Sequence, residues 1–131
     1  MIAVKWLVLF HGEFEPEFDE LPSAVQEELL ARAGLLQKFG PELGRPSVDT
    51  LKGSKHKNMK ELRFEAAGGV WRVAFAFDPN RRAILLVCGD KSGGSQNRFY
   101  KQLIAKADRR FDSQLALLEK EKKERAKRGK S

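Results

Sequence analysis

The residues with the strongest chemical signal are basic and lie within residues 55–91, around three predicted strands. Two of them, Arg63 and Arg72, fall on consecutive strands. If residues 67–68 are the central pair of the turn between these strands, Arg63 sits directly opposite Arg72. Like charges that face each other across a strand pair are destabilising, and a phosphate held by both guanidinium forks would remove the conflict. Glu61, diagonal to Arg72, is the alternative counter-ion, so the pattern leaves a phosphate site and an internal ion pair both open.

A phosphate site that cuts a nucleic acid also needs a group that moves a proton. His56 is the stronger candidate of the two histidines for that task. An imidazole changes charge near neutral pH, so it can accept a proton from a substrate hydroxyl. Lys91 leaves the last of the three strands at a loop. We predict that both residues join the arginine pair at one end of the sheet. The predicted catalytic group is Arg72, Arg63, His56 and Lys91.

Further lysines and one aromatic ring are candidates for contacts with a nucleic acid. The predicted RNA-binding residues are Lys55, Lys57, Lys60 and Tyr100. A Lys-His-Lys run is usually a solvated turn, and its placement beside the arginine pair is what favours a binding role. Tyr100 lies at the start of the last predicted helix, where its ring can stack on a base or its hydroxyl can donate a proton. Simple packing is the alternative for Tyr100.

The sequence lacks the motifs of several other phosphate chemistries. Residues 89–92 lack the upstream glycine spacing of a phosphate-binding loop, and no serine lies in a nucleophile elbow. Asp78 and Asp90 are too isolated to predict a two-metal nuclease, and no cysteine–histidine cluster predicts a zinc site. We therefore predict no metal and no cofactor. If the chain cuts nucleic acid, metal-independent RNA cleavage fits best: the 2′-hydroxyl attacks its own phosphate while cations stabilise the developing charge.

Length and charge predict one domain with a basic surface. The chain has 131 residues and a net charge of +7. Residues 1–44 hold 3 basic and 8 acidic residues, whereas the tail 119–131 holds 7 basic and 3 acidic residues. We predict a domain over residues 1–118 and a tail that is frayed or disordered, because the tail has no apolar anchor. The basic excess favours a polyanionic partner, with ordinary solubility charge as the alternative.

Composition also predicts the compartment. The single cysteine, Cys88, lies in an apolar strand, so it is expected to be a buried, inert thiol. No apolar run approaches ~18 residues, and the N-terminus lacks the basic lead of a signal peptide. We therefore predict a cytoplasmic protein that does not contact a membrane.

Apolar periodicity predicts an α+β fold. Predicted strands cover residues 4–10, 48–51, 59–65, 70–77 and 83–88, and predicted helices cover 16–20, 23–39 and a long segment from 97. The last three strands have short turns between them and form an antiparallel meander. The amphipathic helices at 16–39 must cover one face of the sheet. Ser23, with Gln26 three residues on, matches a capping box at the start of the second helix.

Two expectations concern burial. The apolar run at residues 4–10 predicts a strand that is buried on both faces or central in the sheet. On the strand at residues 70–77, Trp71, Val73, Phe75 and Phe77 share one face. That face is expected to pack against the helices, which leaves Arg63 and Arg72 on the less covered side.

Several segments together resemble the HigB branch of the RelE/ParE toxin superfamily, often labelled phage Gp49-like. The matching segments are residues 51–56, 58–64, 71–79, 83–87, 89–92, 98–100 and 107–108. The resemblance covers nearly the whole chain except the basic tail. It implies a RelE-like fold, an antiparallel sheet of four to five strands with N-terminal helices on one face and a C-terminal helix.

The resemblance also implies a function and a set of partners. It implies a toxin of a toxin–antitoxin system that cuts mRNA on the ribosome, with a helix-turn-helix protein as its antitoxin. Arg72 matches a central-strand arginine that contacts the scissile phosphate in RelE-type members, and Lys60 or Arg63 matches basic residues of the preceding strand. The C-terminal tyrosine of RelE has no counterpart here, since Tyr100 lies earlier. The general acid and base therefore stay unassigned.

Two other functions are compatible with the same resemblance. ParE-like relatives share the fold and poison DNA gyrase without a catalytic group. A degenerate toxin retained as a binding or regulatory module is the third alternative. The paired arginines favour the nuclease over both.

Overall fold

The computed structural model describes residues 6–129, in which strands and helices follow one another without a break into separate units. The elements are β1 (Leu7–Phe10), α1 (Phe14–Asp19), α2 (Ser23–Phe39), a 3-10 turn (Gly40–Glu42), β2 (Val48–Thr50), β3 (Lys60–Ala66), β4 (Gly69–Phe77), β5 (Arg82–Asp90) and α3 (Gln96–Arg128).

The five strands form one sheet in the order β1-β5-β4-β3-β2. Strands β2 to β5 pair antiparallel, which confirms the predicted meander, and β1 pairs parallel with β5. The predicted central place of the first strand was wrong. In the structure β1 is an edge strand, and Leu7 and Leu9 are 56% and 38% exposed. Only its alternate residues, Val8 and Phe10, pack against the core. Residues 4 and 5 of the predicted strand lie outside the described residues.

The N-terminal helices pack on one face of the sheet, as predicted. Val25, Leu29 and Leu36 of α2 are fully buried against apolar residues of β3, β4 and β5. The predicted capping box is absent. The helix starts at Ser23 after Pro22, and no side chain caps it. The side chain of Gln26 donates instead to the carbonyl of Phe18 at 2.8 Å, which ties α2 to the end of α1.

The other face of the sheet is covered by α3, so the side that carries the arginines is not open as predicted. Leu103, Ala107 and Phe111 of α3 pack on small and branched residues of β4 and β5, among them Ala74 and Ala76. The small alanine side chains allow a helix to lie close to the sheet. The result is a sheet between two helical layers, with the arginines under the first turns of α3.

One arginine joins the two helical layers to the sheet. Arg110 is 3% exposed; its Nη1 atom donates to the carbonyl of Leu86 at 2.7 Å and to Glu17 of α1 at 2.8 Å. The Arg110 guanidinium, through its hydrogen bond, holds the pKa of Glu17 below its usual value. This contact fixes the position of α3 along β5.

Within the described residues the basic tail continues the last helix, and its fraying or disorder stays a prediction. Helix α3 continues without interruption to Arg128, and residues 119–129 are exposed. Glutamates placed four residues before basic residues, as in Glu124 and Arg128, support a helix that has no core to pack on. Over the described part of the chain, none of the helices is apolar enough over a sufficient length to cross a bilayer.

Candidate active site

The β3–β4 hairpin places the two arginines opposite each other, as predicted. Ala67 and Gly68 both have positive φ angles, 51° and 75°, which is the backbone of a tight two-residue hairpin turn. Arg63 pairs with Arg72 in the resulting register. Since side chains alternate along a strand, both arginines lie on the face that α3 covers.

Glu61 is the counter-ion shared by the two arginines. Its Oε1 atom lies 3.5 Å from Nε of Arg72 and 3.6 Å from Nε of Arg63. Glu61 and Arg72 are each 5% exposed. Among the described residues, neither Nε atom has a hydrogen-bond partner, although both atoms are buried. The internal ion pair that the sequence left open is therefore present, and Asp49 adds a second carboxylate 3.6 Å from Arg63, but two buried N–H donors stay unsatisfied.

Tyr100 and Lys91 complete this group, which we call the Glu61 cluster (Glu61, Arg63, Arg72, Lys91 and Tyr100). The hydroxyl of Tyr100 donates to Oε1 of Glu61 at 3.2 Å. Nζ of Lys91 lies 6.0 Å from the centroid of the Tyr100 ring. The ring of Tyr100 packs beside the α3 core, as in the packing alternative, and its hydroxyl contacts the carboxylate, whereas a role toward RNA stays a prediction.

A glycine brings α3 close to the cluster. Gly89 pairs with Arg72 on the neighbouring strand, and a Cβ atom at this position would lie 2.8 Å from Cε1 of Phe99. Only a residue without a side chain allows Phe99 to rest on the backbone there. The next residue, Tyr100, is thereby held above Glu61.

Burial shifts the pKa of three groups of the cluster. Burial raises the pKa of Glu61, although the charge of Arg72 opposes the shift. Burial also raises the pKa of Tyr100. Burial, followed by the charges of Arg72 and Arg63, lowers the pKa of Lys91. The carboxyl and the ammonium both shift toward neutral pH, where proton transfer is most efficient.

Two residues that the sequence did not assign line the rim of the cluster. Oδ2 of Asp49 lies 3.6 Å from Nη1 of Arg63 and 3.2 Å from Nη2 of Arg45. Together with Glu61 and Tyr100 they line a cleft of about 270 Å³. The pairing of β2 with β3 sets Asp49 beside Glu61, and no spacing signal could reveal this. The position of Glu61 could be predicted from the sequence, because it lies two residues before Arg63 and therefore on the same face of β3.

The predicted convergence of His56 and Lys55 with the arginines was wrong. Nε2 of His56 lies 2.8 Å from Oδ1 of Asp112, and Lys55 forms an ion pair with the same carboxylate. Asp112 follows Tyr100 by twelve residues of α3, which is about 18 Å along the helix axis. In an antiparallel meander the start of β3 and the end of β5 lie at opposite ends of the sheet. Lys91 therefore joins the arginines, whereas the segment around His56 does not.

The other two predicted lysines also lie away from the cluster. Lys60 shares the face of β3 that carries Leu62 and Phe64, so its side chain lies on the α2 side of the sheet. Arg63, on the opposite face, is therefore the basic residue of β3 that accompanies Arg72. Lys57 is exposed in the turn before β3. An RNA-binding role for these lysines stays a prediction.

Residues 16–112 match the family described as phage derived protein Gp49-like (DUF891). HigB2 of Mycobacterium tuberculosis is 46% identical over 105 residues, which is 79% of this chain and 52% of HigB2. The chain thus spans about half the length of that relative. HigB3 of the same organism is 51% identical over 82 residues, which is 63% of this chain and 69% of HigB3. The names of both relatives describe them as candidate toxins.

A solved structure shares the fold. An arginine double mutant of the Escherichia coli toxin RelE in its free state superposes with a TM-score of 0.51 over 77% of this chain and 95% of that chain. The two sequences are 13% identical, so the likeness concerns the fold, and it confirms the predicted RelE-like α+β architecture. Since the family match covers most of the chain, this protein belongs to the phage-derived Gp49-like family, as a HigB-like member with a RelE-type fold.

Proposed function

We propose that this protein is the toxin of a type II toxin–antitoxin system and that it inhibits translation as a ribosome-dependent mRNA endonuclease. Family membership and the names of the two mycobacterial relatives support the assignment as a toxin. The observation that supports RNA cleavage is the Glu61 cluster, in which two arginines with unsatisfied N–H donors flank one carboxylate. The partners are then mRNA, the ribosome and a helix-turn-helix antitoxin, in the cytoplasm.

The cations of the cluster suit a phosphate that gains charge during the reaction. Arg63 and Arg72 each retain a buried Nε donor, and Lys91 adds a third positive group within the same electrostatic neighbourhood. Donors that are fixed before the substrate arrives stabilise developing charge without reorganisation. A phosphate oxygen can approach the side chain of Arg63, which is 35% exposed, and it reaches the buried Nε donors once the side chains above them move.

Proton transfer falls to the pair of Glu61 and Tyr100 in this proposal. Glu61 accepts the proton of the RNA 2′-hydroxyl, which attacks the adjacent phosphorus and displaces the 5′-oxygen of the next nucleotide. Tyr100 is protonated at neutral pH, as any tyrosine is, and burial raises its pKa further, so its hydroxyl carries the proton that it donates toward the leaving oxygen. The 3.2 Å hydrogen bond between the two side chains lets the proton return to Tyr100 afterwards.

The test is controlled expression with growth measurement and mapping of mRNA 5′ ends. Arg72→Ala should abolish growth arrest and remove the new, codon-linked RNA ends. Because Arg72 is buried, Arg63→Gln is the second variant, since the side chain of Arg63 is 35% exposed and its loss should be tolerated by the fold. Circular dichroism checks that both variants fold.

Arg125→Ala is the matched control, because Arg125 is exposed in the last turn of α3, remote from the cluster under the first turns of the same helix. It should remain as toxic as the wild type. Full toxicity of folded Arg72→Ala and Arg63→Gln would refute the assigned site. DNA damage without new RNA ends would instead indicate a gyrase poison, and a harmless wild type would indicate a degenerate toxin.

A further inference from the structure

The outer side of α3 carries a stripe of exposed residues that contains no carboxylate. Its positions recur every three or four residues, so they lie above one another along one side of the helix. The members of this outer stripe are Arg98, Gln102, Ala105, Arg109, Ser113, Ala116, Lys120, Lys123 and Lys127. Every member is exposed, and five of them are basic. The stripe lies on the side of α3 that faces away from the sheet, and its cations are concentrated at its C-terminal end, in Lys120, Lys123 and Lys127.

Asp112, Glu119 and Glu124 stand three or four residues from members of the stripe and border it, and three of the acidic residues of α3 have other contacts. Asp108 accepts hydrogen bonds from the loop at residues 54–55, and Asp112 binds Lys55 and His56. In the tail, Glu124 pairs with Arg128 at 4.0 Å. Asp108 and Asp112 thus hold a loop, Glu124 supports the helical backbone, and the stripe itself has five basic and no acidic members.

The three lysines at the C-terminal end of the stripe keep their charge available. Within residues 6–129, Lys120, Lys123 and Lys127 form no ion pair, whereas Arg109 pairs with Glu13 at 3.2 Å. These lysines also lie beyond residue 112, where the match to the Gp49-like family ends. Family membership therefore does not account for them.

The length of the stripe indicates the size of its partner. Arg98 and Lys127 are separated by 29 residues of continuous helix, which is about 44 Å. Only the N-terminal end of the stripe is near Tyr100 and the Glu61 cluster. Because the helix is rigid, the stripe suits a partner whose phosphates are held at fixed positions over this length, as in a double helix, more than a flexible single strand.

We propose that the outer stripe binds the phosphate backbone of double-helical, folded RNA, as a contact separate from the Glu61 cluster. The proposal rests on the proposed function, which makes RNA the polyanion that this protein encounters. Each lysine that neutralises a phosphate releases a counter-ion, so affinity rises and becomes salt-dependent. Two linked contacts, one at the cluster and one on the stripe, hold the RNA more tightly than either alone.

The test measures binding of a labelled RNA duplex of about 20 base pairs, a length that exceeds the roughly 16 base pairs of a typical double-stranded-RNA domain. The stripe variant combines Lys120→Gln, Lys123→Gln and Lys127→Gln. At about 0.1 M salt it should bind on the order of 10- to 100-fold more weakly than the wild type. The slope of log affinity against log salt should decrease by about 2 to 3.

The matched control combines Lys122→Gln, Arg125→Gln and Arg128→Gln, which remove the same charge from other sides of the same helix segment. It should retain most of the affinity, and circular dichroism checks that both triple variants keep the helix. If the control variant loses as much affinity for the RNA duplex as the stripe variant, net charge alone determines binding. If the stripe variant binds as tightly as the wild type, the outer stripe is not the binding surface. Either result overturns the proposal.

Two further readouts separate the sources of a failure. A DNA duplex of the same length should bind no more tightly than the RNA duplex, and tighter binding of DNA overturns the assignment to RNA. If the wild type produces no RNA ends in cells but the stripe variant loses duplex binding, the proposed function fails and the stripe stands. If the wild type produces RNA ends in cells but the stripe variant keeps the salt slope of the wild type, the proposed function stands and the stripe proposal fails.

Discussion

Substitution of Gly89→Ala should disturb the Glu61 cluster without removing any charge. The new Cβ atom would lie 2.8 Å from Cε1 and 3.3 Å from Cζ of Phe99. Carbon atoms pack best at about 3.5–4.0 Å, so the ring or the first turns of α3 must move by about 1 Å. Tyr100 is the next residue on the helix, so the movement reaches its hydrogen bond to Glu61.

Two opposing terms set the change in unfolding free energy of this variant. Loss of the glycine's backbone freedom favours folding by roughly 0.5–1 kcal/mol. Overpacking against Phe99 opposes folding by about 1–3 kcal/mol. We expect a net loss of about 1–2 kcal/mol in urea denaturation. If the proposed RNA cleavage is correct, misplacement of Tyr100 by about 1 Å lowers activity by up to about 100-fold.

Two companion variants test the packing argument. Gly34→Ala is the matched control, because Gly34 is exposed on α2 and a Cβ atom there meets nothing within 4 Å. It should stabilise the protein by about 0.8–1 kcal/mol and leave activity unchanged. Phe99→Leu, combined with Gly89→Ala, should recover part of the lost stability, since a smaller side chain makes room. Wild-type stability and activity of Gly89→Ala, or purely additive effects in the double variant, would refute the reasoning.

Three further predictions concern titration, anchoring and thiol reactivity. Because burial raises the pKa of Glu61, the folded state binds this proton more readily than the unfolded state, and the contribution of Glu61 to stability falls as pH rises through the raised pKa. Glu61→Gln should remove that contribution, so a pH-independent difference in unfolding free energy between the two proteins would contradict it. Arg110→Ala should destabilise the fold by about 2–4 kcal/mol in denaturant titrations, since the carbonyl of Leu86 loses its donor, and a loss under about 1 kcal/mol would show that α3 is held by other contacts. Cys88 is only partly buried, but its surroundings raise the pKa of the thiol to about 12, so a disulfide reagent should modify it far more slowly than a free thiol in the native state, and modification at the rate of a free thiol would contradict this.

The arginine hairpin could be predicted because its geometry is local. The turn at residues 67–68 requires positive φ angles that Gly68 adopts readily, and strand alternation then fixes the pairing of Arg63 with Arg72. The buried face of α2 was predictable for the same reason, since its apolar residues recur with the helical period. The family resemblance added the fold, which the structural comparison confirms.

The errors in prediction concern contacts between residues far apart in sequence. An apolar run does not reveal whether its strand will be central or at an edge, so β1 was assigned too much burial. The pairing of His56 with Asp112 joins residues 56 apart in the chain, and no local pattern encodes that contact. The same holds for Asp49, which the β2–β3 pairing brings to Arg63.

The sequence by itself determined the elements, the meander and the facing arginines, because these follow from side-chain periodicity and turn chemistry within short segments. Only the tertiary structure decided which groups surround those arginines. The packing of α3 across the second face of the sheet buries Arg72, places Tyr100 over Glu61 and draws His56 toward Asp112. That placement depends on the fit of Phe99 to Gly89 and of Leu103 to the sheet, a property of packed surfaces that no single segment carries.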